Sequence, residues 1–253
     1  MEDIPHSPII VAHRGLHHRA PENSFRAFHL AAEQGISWVE CDVWPSADHA
    51  IVVLHDETLE RTTTGTGLVW QRKWEELYPL KLRYSDGKVD RYSDLDSLPR
   101  VLNCTRDLIS RGFLVEIKPC DARQLVWDTI DVLKRARCKW MVQSFDEANL
   151  VHALVHDSKA PVAYLLESET DLRRGIDNGW KNIHLRHDLL DSDACGAMRE
   201  KGVSIGVWTP NTEEELRRVI GLGVDVIITD EPLRARELLS RQHHGTNREN
   251  SDT

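Results

Sequence analysis

The sequence predicts an α/β protein of the (β/α)8 barrel class, a TIM barrel with a small insertion after the second strand. Three observations carry this reading. Eight short apolar, β-branched runs alternate with amphipathic segments almost end to end. The 253 residues match the roughly 250 that such a barrel uses. The turn after the first apolar run lacks the G-x-G-x-x-G spacing of the rival open, doubly wound sheet.

The strands are expected at residues 9–12, 38–43, 114–117, 141–143, 162–166, 182–185, 204–207 and 226–229, with helices at 24–34, 122–135, 146–156, 169–178, 189–201 and 213–222. Several helical stretches stop at a glycine, at Gly35, Gly179, Gly202 and Gly223, where a left-handed residue commonly ends a helix. One interval breaks the rhythm. Asp48, His49 and Ala50 read as a tight turn, and 51–54 as a returning hairpin strand. Residues 57–95 then carry turn formers, charges and Trp70, Trp74, Tyr78, Tyr84 and Tyr92 without a clear period. They are expected to form an insertion over the strand C-terminal ends, where barrel enzymes place their chemistry. The alternative is a surface subdomain whose aromatics pack on themselves. The barrel domain is expected to span 1–240, and the polar residues 241–253 to form a disordered tail.

A composition of 40% hydrophobic and 29% charged residues allows a sizeable core. The net charge of -9 speaks against a nucleic-acid-binding surface, which needs an extended basic patch. It leaves room for one small phosphate-bearing ligand. The five cysteines (Cys41, Cys104, Cys120, Cys138, Cys195) lack C-x-x-C spacing, which suits reduced thiols better than a disulfide framework or zinc site. The start, from Met1 to Pro8, has no secretory pattern, and no apolar run is long enough for a transmembrane segment. A cytoplasmic protein is expected; its oligomeric state is open, a homo-oligomer included.

The chemistry gathers at strand ends. The first strand runs into His13-Arg14-Gly15, delivering an imidazole that titrates near neutrality and a guanidinium fork that matches phosphate oxygens. Glu40 and Asp42 are one residue apart in the second strand, so both carboxylates leave the same face. Side by side in an apolar strand they repel unless a cation intervenes, and a hard divalent ion with oxygen ligands is the simplest remedy. The hairpin strand ends at His55, which the tight turn should bring back near Glu40. The next strand carries Glu116 and Lys118 on one face. Glu116 could complete a three-carboxylate metal site and Lys118 could neutralise a phosphate oxygen; an internal Glu116–Lys118 salt bridge is the competing reading. A core that merely buried these charges would lose several kcal/mol for each (about, by analogy with isolated buried ions). His17 with His18, and His243 with His244, are adjacent pairs without zinc-ligand spacing. Asn23 either hydrogen-bonds into the site or caps the helix from Ser24. Trp208, at the seventh strand's end, either packs on substrate or on the barrel top.

Over nearly its whole length the chain resembles the glycerophosphodiester phosphodiesterase family. The resemblance rests on His13-Arg14-Gly15; on Ala20, Pro21, Glu22, Asn23 and Ser24; on Glu40, Cys41, Asp42 and Val43; and on Val53, Leu54, His55 and Asp56 with the stretch from Thr58 to Thr63. It continues through Glu116, Ile117 and Lys118; Ser144, Phe145 and Asp146; Val207, Trp208 and Thr209 with Asn211; and the run from Gly223 to Asp230. It implies a barrel with an insertion, one divalent metal (Mg2+ or Ca2+) on Glu40, Asp42 and Glu116, catalytic histidines His13 and His55, and phosphate-binding Arg14 and Lys118. It also implies hydrolysis of glycerophosphodiesters to sn-glycerol 3-phosphate and an alcohol, in glycerol and lipid metabolism. The departures are Asp94 to Arg100, in place of the family's usual exit from the insertion, and Pro210 after Thr209. They leave the alcohol group open, as the residues leave open which histidine is acid and which base. The rivals are a phospholipase or lysophospholipase on lipid phosphodiesters, disfavoured by the polar insertion, and a non-catalytic phosphodiester-binding barrel.

Overall fold

The computed structural model describes residues 7–105, 112–120, 123–136 and 138–249, with 242–249 described by backbone alone. In chain order the elements are β1 (Ile9–Ala12), α1 (Phe25–Glu33), β2 (Trp38–Pro45), β3 (Ile51–Val53), α2 (Trp74–Leu77), β4 (Lys81–Arg83), β5 (Val89–Asp94), β6 (Asp96–Ser97), α3 (Leu98–Thr105), β7 (Gly112–Ile117) and α4 (Arg123–Arg135). Then follow β8 (Lys139–Ser144), α5 (Glu147–His156), β9 (Val162–Leu166), α6 (Glu169–Asp177), β10 (Asn182–Arg186), α7 (Ser192–Glu200), β11 (Ser204–Trp208), α8 (Glu213–Gly221), β12 (Val226–Thr229) and α9 (Pro232–Glu249). The ten-stranded sheet runs β1-β12-β11-β10-β9-β8-β7-β2-β3-β6, and β1 pairs also with β2. This is the strand order of the (β/α)8 barrel, with the β3 and β6 pairing added beside β2. All eight strands expected from the sequence are present, their ends shifted by about one or two residues.

Three helices were not foreseen, the four-residue α2 of the insertion, α3 and α9. α3 starts beside Pro99, which a helix's first turn tolerates because that N–H has no helical partner. α9 continues to Glu249, into the segment expected as a tail; residues 250–253, and the side chains of His243 and His244, lie outside the described residues. Among the described residues no helix is long and apolar enough to cross a membrane.

The chain forms two compact units, Ala12–Leu165 and Met1–Val11 with Leu166–Thr253. In the first, β2 is buried along most of its length: Val39, Cys41 and Val43 are fully covered on one face, Glu40 and Asp42 on the other. β2 pairs in parallel with β7, Asp42 opposite Glu116, and antiparallel with β3, Val43 opposite Val53. The hairpin turns at His49, whose φ of 67° is left-handed; Ser46 Oγ accepts from Ala50 N–H at 2.8 Å. The insertion has its own small sheet, β4 with β5, and builds its core jointly with the β2–β3 hairpin. Leu59, Val69, Leu77, Leu82 and Leu95 pack with Trp44, Val52 and Leu54 of the β2–β3 hairpin, and Trp70 stands 5.2 Å from Trp44. Trp70 and Trp74 therefore join a core shared with the barrel hairpin, whereas Tyr92 is 79% exposed.

In the second unit β10, β11 and β12 run parallel. His184 faces Gly206, where a Cβ would come within 2.2 Å of His184 Cδ2, so only glycine fits beneath the imidazole. α6, α7 and α8 each start on a side-chain cap, from Ser168, Asp191 and Thr212.

Candidate active site

The site begins with the loop that follows β1. Arg14 (φ 53°) and Asn23 (φ 58°) both sit in the left-handed region, which non-glycine residues enter rarely. They hold each other: Asn23 N–H donates to the Arg14 carbonyl at 3.1 Å. Between them Gly15 (φ 78°) lies so close to α1 that a Cβ would meet the Ala27 carbonyl carbon at 2.7 Å. The folded loop points its donors at β2. Arg14 N–H donates to Glu40 Oε2 at 3.0 Å. Asn23 Nδ2 donates to Asp42 Oδ2 at 2.7 Å, and Asn23 Oδ1 accepts from Asp42 N–H at 3.2 Å. Ser24, not Asn23, caps α1 by accepting from Ala27 N–H, which decides the alternative left open for Asn23.

Glu40, Asp42 and Glu116 are buried, and each offers an oxygen within 4.8 Å of the others. The register that sets Asp42 opposite Glu116 brings the third carboxylate alongside the first two. Lys118 Nζ lies 2.7 Å from Asp42 Oδ1 and 2.6 Å from Glu116 Oε1, so the salt bridge expected as a competing reading is present and shared with Asp42. Arg14 Nε is 3.4 Å from Asp42 Oδ2.

The balance of charge is uneven. Burial would raise the pKa of Asp42, but Lys118, Arg14 and His55 more than offset it and hold the carboxyl far below the usual range. Burial, then Asp42 and Glu116, drives Glu40 well above it. Burial, opposed by Lys118 and reinforced by Asp42, pushes Glu116 up to about 7. Glu116 and Asp42 touch the same ammonium at similar distances yet shift in opposite directions: Asp42 also has Arg14 in ion-pair contact and His55 acting on it, whereas the Asp42 charge itself raises Glu116. Glu40 Oε1 is buried with no hydrogen-bond partner. A buried carboxylate oxygen without a donor is costly. Asp42 Oδ1 and Glu116 Oε1 are likewise buried without a hydrogen bond, met only by the Lys118 ammonium. Three hard oxygen donors left in this state fit a divalent cation, so the triad could hold one.

His55 follows β3 and Leu54, and its Nδ1 is 2.7 Å from Asp56 Oδ1. Burial, opposed by Asp42 and aided by Lys118 and Arg14, lowers its pKa, so the electrostatics of the triad reach the ring. His13 precedes Arg14 at the end of β1, half-buried, its ring edge-on to His17 with centroids 6.3 Å apart. Trp208 stands in the other compact unit, where its Nε1 donates to the His184 carbonyl at 3.2 Å.

Three further residues join this network, and sequence reading left them without a role. Glu22 accepts from Arg14 Nη1 at 3.0 Å. Arg61 meets Glu22 and Asp56 with both prongs of its guanidinium. All three lie inside the motifs that carry the family resemblance, which was the one available signal. No periodicity marks them, since they are on loops.

Carboxylates, an ammonium and a guanidinium gathered at the strand ends of a (β/α)8 barrel define a class of barrel enzyme fitted to an anionic substrate. Within that class the chain belongs to the glycerophosphoryl diester phosphodiesterase family, whose model matches residues 13–234. It is 43% identical over 243 residues to glycerophosphodiester phosphodiesterase 1 of Bos taurus, covering 81% of this chain and 72% of that one. It is 28% identical over 235 residues to the glycerophosphodiester phosphodiesterase of Caldanaerobacter subterraneus subsp. tengcongensis, covering 88% and 94%. Among solved structures it is similar to an Oleispira antarctica phosphodiesterase in complex with the product sn-glycerol 3-phosphate. That match has a TM-score of 0.83 and 25% identity, and covers 92% of this chain and 97% of the other.

Proposed function

We propose that this chain hydrolyses glycerophosphodiesters to sn-glycerol 3-phosphate and an alcohol, with His55 and His13 moving the protons and a divalent metal on Glu40, Asp42 and Glu116. The observation that carries this reading is the buried triad, with an oxygen of each carboxylate lacking a hydrogen bond and two basic side chains against it. Membership of the family supports the reaction, and the product bound to the Oleispira relative supports the identity of the phosphate product.

A metal held there, Mg2+ or Ca2+ by the preference of hard cations for oxygen, would add positive charge beside the phosphate oxygens. Arg14 binds the phosphate through its fork, and Lys118 contributes a point charge from the same side. With Nδ1–H donated to Asp56, His55 keeps Nε2 free as the atom that takes the nucleophile's proton. Its lowered pKa favours the neutral imidazole that this step needs. His13 then protonates the departing alkoxide, which is otherwise a poor leaving group. Among the described residues no disulfide joins the cysteines, which supports a reducing, cytoplasmic setting.

The test is release of glycerol 3-phosphate from a panel of glycerophosphodiesters, with chelator and with Mg2+ or Ca2+ restored. Release in the presence of metal and its loss on chelation are expected. Release that survives exhaustive chelation would remove the metal from the scheme, and binding without turnover would make the barrel a receptor.

A further inference from the structure

We infer that Arg61, supplied by the insertion, is a positioning residue that ties the histidine arm of the site to its phosphate-binding arm; this rests on the reaction proposed above. Arg61 Nε donates to Asp56 Oδ2 at 2.6 Å and Nη2 to Asp56 Oδ1 at 2.8 Å. Its Nη1 donates to Glu22 Oε2 and its Nη2 to Glu22 Oε1, both at 2.8 Å. Asp56 Oδ1 is 2.7 Å from His55 Nδ1, and Glu22 Oε1 accepts from Arg14 Nη1 at 3.0 Å. A continuous chain of contacts therefore runs His55, Asp56, Arg61, Glu22, Arg14, with charge alternating from Asp56 onward.

The chemistry of a guanidinium decides what Arg61 does in that chain. Its planar fork can grip two carboxylates at once, whereas an ammonium offers a single point of charge. The donors named above are all engaged on protein carboxylates, so Arg61 orients groups that meet substrate rather than meeting it. Both carboxylates respond. The hydrogen bonds from Arg61 lead in holding Asp56 down at about 2, against burial and with help from His55. Glu22, which burial would raise, is held low by Arg61 and Arg14. An ordinary exposed ion pair would have one partner and a free end, and would contribute little. Here each carboxylate is spanned between Arg61 and a residue of the proposed machinery.

The insertion sets where Arg61 stands. Thr63 N–H and Oγ1 both return to the Leu59 carbonyl, and Thr62 accepts from Arg83 N–H at 2.7 Å. Leu59 and Leu82 belong to the core that the insertion shares with the β2–β3 hairpin, so the clamp is anchored where the two pack together.

The test compares Arg61→Met, Arg61→Lys, Asp56→Asn and Glu22→Gln in the full chain at saturating Mg2+, with glycerophosphocholine as substrate. Loss of such an orienting partner elsewhere costs roughly 10- to 100-fold. Asp56→Asn should lower kcat by roughly that factor with KM near wild type, and Glu22→Gln should mainly raise KM. Arg61→Met should do both, Arg61→Lys should recover only part, and Arg61→Met with Asp56→Asn should lower kcat no further than Arg61→Met alone. Nitrogen-15 shifts of the His55 ring provide a readout independent of turnover. The wild type should be the Nδ1–H tautomer, and Asp56→Asn and Arg61→Met should give mixed tautomers. Wild-type kinetics and an unchanged tautomer in Arg61→Met would overturn the inference. So would equal losses in all variants that follow their urea midpoints. If the wild type fails to turn over glycerophosphocholine, the proposed reaction fails, while the tautomer comparison still decides the clamp.

Discussion

Two regions of this molecule bury ionisable side chains, and they resolve the problem in opposite ways. On Asp42 charge is kept: Lys118 and Arg14 lie in ion-pair contact with it, Glu40 and Glu116 offer oxygens within 4.8 Å, and an oxygen of each carboxylate lacks a hydrogen bond. At His184 charge is given up. The ring is fully enclosed over Gly206, and burial alone pushes its pKa down to about 4, so it is neutral near pH 7. Burial by itself turns a titratable residue into packing. Burial beside mutually opposed charges leaves groups poised to bind more charge, which is the signature of a functional site.

The comparison breaks first at the triad. Glu40→Gln and Asp42→Asn should each cost more than about 1,000-fold in activity, since a metal ligand contributes several kcal/mol of charge stabilisation. Their stabilities in chelator should diverge. Glu40→Gln removes repulsion and should stabilise the fold by about 1 kcal/mol, whereas Asp42→Asn strips Lys118 and Arg14 of their counter-ion and should cost about 3 kcal/mol. Urea melts that move in the same direction for both would show that the triad is not unevenly compensated.

The histidines come next. His13→Ala and His55→Ala should each lose roughly 100-fold or more in kcat. A p-nitrophenyl leaving group needs no proton, so it should restore His13→Ala but not His55→Ala. Rescue of the opposite variant would exchange the acid and base.

His184 sharpens the other side. A buried base with a depressed pKa binds its proton more readily when unfolded. Stability is therefore complete above the unfolded value near 6.5 and falls as pH drops toward 4. The loss is on the order of 3 kcal/mol for a shift of this size. His184→Gln should flatten that part of the profile; an unchanged slope would place the acid sensitivity elsewhere. Metal addition completes the comparison. At a metal concentration of 100 times Kd the wild type should gain about 2.7 kcal/mol, and Glu40→Gln far less. Equal gains would mean that the ion binds away from the triad.

Much of this was legible along the chain. Glu40 and Asp42 share a face because a strand alternates sides every residue, and no distant contact is needed to know it. His13, His55 and Glu116 could be placed at strand ends for the same local reason, as could the glycines that close the helices. The fold class followed from the alternation of the two periods.

Other features were not legible, because they depend on groups far apart in sequence meeting at one distance. The register that sets Asp42 opposite Glu116 comes from how β2 and β7 align, not from either strand alone. The sharing of Lys118 between both carboxylates follows from that register. The left-handed turns at Arg14 and Asn23 are held by Glu40 and Asp42, so the loop's conformation is set by its targets. Arg61 reaches Glu22 across 39 positions of chain, from an insertion packed on the β2–β3 hairpin. Local backbone geometry decided which residue types face the barrel mouth. Only the tertiary structure decided which of them touch, since contact depends on the closure of loops that no local pattern encodes.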